Sequence, residues 1–111
     1  MIRHTKQGAV DILSVEESMI YLHIDKMQLA VDQLLKAGQP RVVLNMKDVA
    51  LCDSRGLEFI LDLRDRCVKC GGMFKLAAAS HLCLDILQIT GVLDQIEHYE
   101  NSVQAAGSFA L

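Results

Sequence analysis

Residues 41 to 57 read RVVLNMKDVALCDSRGL. An apolar, largely β-branched run, Val42-Val43-Leu44, leads through a short second rise, Val49-Ala50-Leu51, to Asp53-Ser54. Beyond Ser54 the apolar residues recur at helical spacing, so a serine falls where a strand hands over to a helix. Its hydroxyl lies at the helix N-terminus, where free backbone N–H groups and the positive end of the helix dipole would meet a phosphoryl group. Serine is also a common N-cap, here toward the N–H of Gly56 or Leu57. The residues alone leave both roles open.

Upstream, Gly8 to Val15 (GAVDILSV) reads as a strand, and Glu16-Glu17-Ser18 as a turn. Met19 to Ile24 is ambiguous between a short strand and the approach to a helix. From Asp25 the period becomes 3.6, with Met27, Ala30, Val31, Leu34 and Leu35 on one face. Asp25, Lys26, Gln28, Asp32, Gln33 and Lys36 fall elsewhere on the wheel, and Gly38 and Pro40 stop the helix. Arg41 to Met46 is too continuously apolar to have a wet face and predicts a buried strand.

Downstream, the helix opened by Ser54 gathers Leu57, Ile60, Leu61, Leu63, Cys67 and Val68 inward. Asp62–Arg66 and Asp65–Lys69 are i,i+4 pairs on its solvated side. Gly71-Gly72 ends it, and Met73 to Ala77 forms the next strand. Ser80 caps a third helix bearing Leu82, Leu84, Ile86 and Leu87, closed by Gly91. Val92 to Tyr99 supplies a last strand, and Asn101-Ser102 opens a fourth helical turn, Val103 to Ala106. This alternation predicts an α/β fold: one domain over residues 1–111, a mixed central sheet of four to five strands, and about four helices.

Composition narrows the function. The chain has 111 residues, 51% of them apolar, no Trp and a net charge of -3, and it can bury an aliphatic core without staples. The negative balance argues against nucleic-acid binding through phosphate contacts. No apolar run approaches the roughly 20 residues of a membrane span. Met1 to Lys6 leads into no signal-peptide core, so a soluble, cytoplasmic protein is expected. Cys67-Val68-Lys69-Cys70 has CxxC spacing, but it falls in a last helical turn, where the dipole opposes a thiolate. No second ligand pair completes a zinc site, so neither metal nor cofactor is expected, and a thiol- or metal-responsive sensor is the minor reading. Asp53-Ser54-Arg55-Gly56 is not a nucleophile elbow, and no glycine loop cradles phosphate, so no enzymatic activity is expected.

The segment 41–57 also resembles the signature of STAS domains, the family of bacterial anti-sigma factor antagonists, which usually reads like "VVLDL…V.F.DSSGL". The resemblance runs over about residues 8–106, in the order AVDILSV, QLAVDQLLKAG, RVVLNM, CDSRGLEFIL, CGGMFKLAAAS, LCLDILQITGVLDQI and VQAAGSF. It implies a phosphoacceptor at Ser54, with Asp53 as the acidic residue before it and Gly56-Leu57 as the "GL" after it. Asn45 stands where many members have Asp and others Asn. The implied partners are an anti-sigma factor that is itself a serine kinase, and a cognate phosphatase. The implied docking face holds Leu51, Cys52, Asp53, Ser54, Arg55, Gly56 and Leu57. Self-association is left open. Two departures bear on partner identity: Arg55 replaces the usual Ser or Thr, and Glu16 to Ile24 replace the usual "G.LD" connection between the second strand and the first helix, the first strand being cut short. A constitutive module of the same fold, such as a STAS subunit docking on an ABC-type lipid transporter, is the alternative the resemblance allows.

Overall fold

The computed structural model describes residues 1–35 and 38–110. Five strands and four helices follow one another as β1 (Ile2–Gln7), β2 (Val10–Val15), α1 (Tyr21–Leu34), β3 (Arg41–Asn45), α2 (Ser54–Lys69), β4 (Met73–Ala77), α3 (His81–Ile89), β5 (His98–Tyr99) and α4 (Ser102–Ser108). The strands lie side by side in chain order, β1-β2-β3-β4-β5. The first pair is antiparallel and the other three are parallel, a mixed sheet in an α/β fold.

Period-2 alternation divides the sheet between two cores. One face carries Leu13, Val15, Val42, Leu44, Phe74 and Leu76, and packs against Met27 and Val31 of α1, Phe59, Ile60 and Leu63 of α2, and Cys83 and Leu87 of α3. The other carries Val10, Ile12, Val43 and Ala77 and, among the described residues, receives α4, through Ala105 and Ala106. Lys75 is buried on this second face. Its ammonium donates to Ser108 Oγ at 2.6 Å, lies 3.1 Å from Glu97, and sits 4.5 Å from the ring centre of Phe109. Arginine pairs stitch neighbouring elements: Arg66 of α2 bonds Asp32 of α1 and the Leu35 carbonyl.

Several sequence expectations are corrected. The second N-terminal strand precedes Gly8 instead of following Ser18. Ile2–Gln7 forms β1, and Gly8, in the left-handed region at φ +61°, makes the tight reversal into β2. β1 is an edge strand of mostly polar residues, so it carries little apolar periodicity. α1 starts at Tyr21, four residues before Asp25, so Met19–Ile24 is mainly helix approach and first turn. Lys36, expected off the apolar face of this helix, lies outside the described residues. In α2, Phe59 is buried and Val68 is exposed, and Arg66 turns to α1 instead of Asp62. Leu82 of α3 is also exposed, while its neighbour Cys83 is buried. Val92 to Tyr99 opens with a 3-10 turn, Val92–Asp94, and keeps only a two-residue strand, His98–Tyr99, at its end.

Candidate functional site at the junction of two helix N-termini

At the end of β3 the chain turns on Asn45, whose side chain donates to Ser14 Oγ (3.1 Å) and accepts from the Lys47 N–H (3.2 Å). It then crosses toward α2 and pairs briefly with the segment entering α1. Met19 N–H donates to the Leu51 carbonyl (2.8 Å), and Asp53 N–H donates to the Met19 carbonyl (3.1 Å). This parallel bridge between Met19 and Cys52 brings the first turns of α1 and α2 together.

Asp53 sits at their meeting point. It is the N-cap of α2, in extended conformation, and its Oδ1 accepts the Gly56 N–H at 3.0 Å. Its Oδ2 accepts the Tyr21 N–H of α1 at 2.9 Å. The residue entering α1 is Ile20, which has no side-chain acceptor, so the second helix supplies the cap that the first lacks. The Tyr21 N–H, joined by those of Gly56 and Arg55 and by the Arg55 charge, holds the Asp53 carboxyl below its usual range. Desolvation acts the other way without prevailing. Asp53 is therefore an ionised, doubly anchored carboxylate.

Ser54 is not the cap. It is the first helical residue, exposed, and its hydroxyl has no hydrogen-bond partner among the described residues. Arg55 follows, also exposed, its guanidinium 3.6 Å from Asp25 of α1. Leu51 is exposed as well, and Leu57 is half-buried. Cys52 and Gly56 are buried, so within the expected docking face they shape the loop from beneath. The Cys52 thiol is pushed up to about 12, chiefly by burial, and is a neutral packing group.

Sequence reasoning missed the neighbours across the junction. Tyr21 (65% exposed) and Leu22 (62%) open α1, whose Tyr21 N–H bonds Asp53, and with Leu51 (45%) they leave exposed apolar side chains on the segments that meet at the junction. Large exposed apolar side chains beside a free hydroxyl suit contact with another protein. The alternation of Ile20, Leu22 and Ile24 concealed them, because it permits a strand as well as a helix.

The CxxC pair has no comparable geometry. Cys67 is buried with its thiol raised to about 12 by desolvation, and only Cys70 is exposed. Among the described residues, no group of three or more His, Cys, Asp or Glu side chains is placed to hold a metal ion. Likewise, no helix there is long and apolar enough to cross a membrane.

The STAS-domain family model matches residues 2–106, nearly the whole chain. The chain belongs to the STAS family. No curated protein matches this STAS domain. Its fold recurs in a crystal structure described as a candidate anti-sigma factor antagonist from Thermotoga maritima, with TM-score 0.89 and 18% identity, covering 96% of this chain and 92% of that one. A murine anion transporter, Slc26a9, contains a similar unit (TM-score 0.80, 18% identity), matching 96% of this chain but 18% of the transporter. The anti-sigma factor antagonist SpoIIAA, solved in its unphosphorylated form, aligns over 99% of this chain and 97% of its own length, with TM-score 0.70 and 9% identity. At these identities the likeness is one of fold.

Proposed function

We propose that this STAS domain is an anti-sigma factor antagonist controlled by phosphorylation of Ser54. Unphosphorylated, it binds an anti-sigma factor that is also a serine kinase, through the rim formed by Leu51, Ser54, Arg55, Leu57, Tyr21 and Leu22, and the sigma factor is released. The kinase transfers the γ-phosphoryl group of ATP to Ser54 Oγ, the hydroxyl proton is lost, and ADP departs. A phosphatase hydrolyses the ester and restores the hydroxyl. The domain is thus a cytoplasmic binding module that serves as the kinase's substrate.

The observation that carries this reading is the exposed Ser54 hydroxyl, unbonded among the described residues, next to a carboxylate held by two backbone N–H groups. Phosphorylation places about -1.5 to -2 charges on that spot. A partner surface fitted to a neutral hydroxyl then loses binding by repulsion and desolvation. Intact-mass spectrometry and peptide mapping of protein from its own host should find an 80 Da addition (about one phosphoryl group) on Ser54. Ser54→Asp should weaken binding to the kinase by at least roughly tenfold. Binding as tight as the wild type's, or no phosphate on Ser54 in cells lacking the phosphatase, would reject the switch. The apolar exposure of Tyr21, Leu22 and Leu51 favours one second reading, permanent docking on a larger assembly, which needs no modification.

A further inference from the structure

The phosphorylated state poses an electrostatic problem that the unmodified site does not. Asp53 is fixed by the Tyr21 and Gly56 N–H groups, so its charge stays beside Ser54. Those N–H groups already serve a carboxylate and are not free for a second anion. Glu58 lies one turn further along α2 on the Ser54 side, and Asp25 faces the same junction from α1. A phosphoryl group on Ser54 therefore joins three carboxylates.

Arg55 is the cation beside it. Its ion pair with Asp25 is loose, at 3.6 Å, and both side chains are well exposed (47% and 94%), so exchanging that partner costs little. A guanidinium matches phosphoryl oxygens with two parallel N–H donors, and a dianion attracts it more strongly than one carboxylate does.

Building on the reading of Ser54 as phosphoacceptor, we propose that Arg55 is an exchangeable counter-charge. In the unmodified protein it bridges α2 to Asp25 of α1, and after phosphorylation it leaves Asp25 and pairs with the phosphoryl group on Ser54. The switch then does two things. It adds negative charge at the rim, and it unties the one ion pair that links the first turn of α2 to α1 among the described residues. Because Arg55 cancels part of the new charge, the off state is set by Arg55 as well as by the phosphate.

The test uses the full chain with phosphoserine installed genetically at position 54, so no kinase is required. The probe is a 31P NMR titration of the phosphoryl group at low salt. A paired cation favours the dianion, so the second ionisation should fall at lower pH in the wild type than in Arg55→Ala, by roughly half a pH unit or more. Arg55→Lys should titrate between them. Asp25→Asn frees Arg55 and should lower the ionisation further, an effect that shrinks when Arg55 is also replaced. Coincident titrations of the wild type and Arg55→Ala would overturn the proposal. So would an Asp25→Asn shift that is undiminished without Arg55. Absence of phosphate from Ser54 in the host would reject the functional reading instead, and leaves this titration measurable.

Discussion

Gly56 has no room for a side chain. A Cβ there would stand 2.2 Å from the Met19 carbonyl oxygen and 2.8 Å from Cys52 Sγ. Both belong to the bridge that brings α1 against α2, so the backbone itself would have to move. Gly56→Ala should cost about 3 kcal/mol or more, read by urea unfolding. A loss below 1 kcal/mol (about one small packing defect) would mean the junction is loose. Thiol reactivity gives a second check at this scale. Cys52, Cys67 and Cys83 are buried and Cys70 is exposed, so one thiol per native molecule should react quickly with a disulfide reagent, and Cys70→Ser should abolish that phase. Much of this was legible in Asp53-Ser54-Arg55-Gly56: a polar pair opening a helix, then a glycine. The identity of the cap was not. Asp and Ser both cap well, and the choice rests on the extended backbone of Asp53 and on Tyr21, a residue far away in sequence.

Among the elements, the turn from β4 into α3 depends on a histidine. His98 Nε2 accepts the Ala79 N–H at 3.1 Å, and burial lowers the His98 pKa from its usual value near 6.5. The unfolded chain therefore takes up a proton as pH falls through about 6.5 while the folded chain still resists it. His98 thus favours the folded state above that pH, and the advantage drains away below it. Unfolding free energy should decline between pH 7.5 and 5.5 (about one unit either side of an ordinary histidine), and His98→Gln should flatten the decline. Equal slopes in the two proteins would show that the proton is taken up elsewhere. The same element shows where sequence reading reaches its limit. MFKLA reads correctly as a strand, yet a lysine in it suggests a wet face. Lys75 is instead covered by α4, and Glu97, Ser108 and Phe109 answer its charge from segments that no local window joins. β5 is short for a related reason: Val92 and Ile96 are core residues, but the chain around them coils into a 3-10 turn.

On the scale of the whole molecule, the candidate site stands on an exposed rim. The Ser54 hydroxyl makes no hydrogen bond among the described residues and the residue is exposed, so Ser54→Asp should change global stability by less than about 0.5 kcal/mol in urea unfolding. A larger loss would tie any failure to bind to misfolding instead of to charge. The alternation of strands and helices carried the α/β class, because each apolar run must find a layer to bury it. It could not show the asymmetry of the layers, which among the described residues set three helices on one face and one short helix on the other. That asymmetry has a consequence for the order of assembly. Strand position follows chain order, so on a ribosome each strand can dock on the edge just completed, and α1, α2 and α3 can close their face as they emerge. Val10, Ile12, Val43 and Ala77 have no such early cover. They stay open to water, or to a chaperone, until α4 has been synthesised and has folded back across four strands that are already in place.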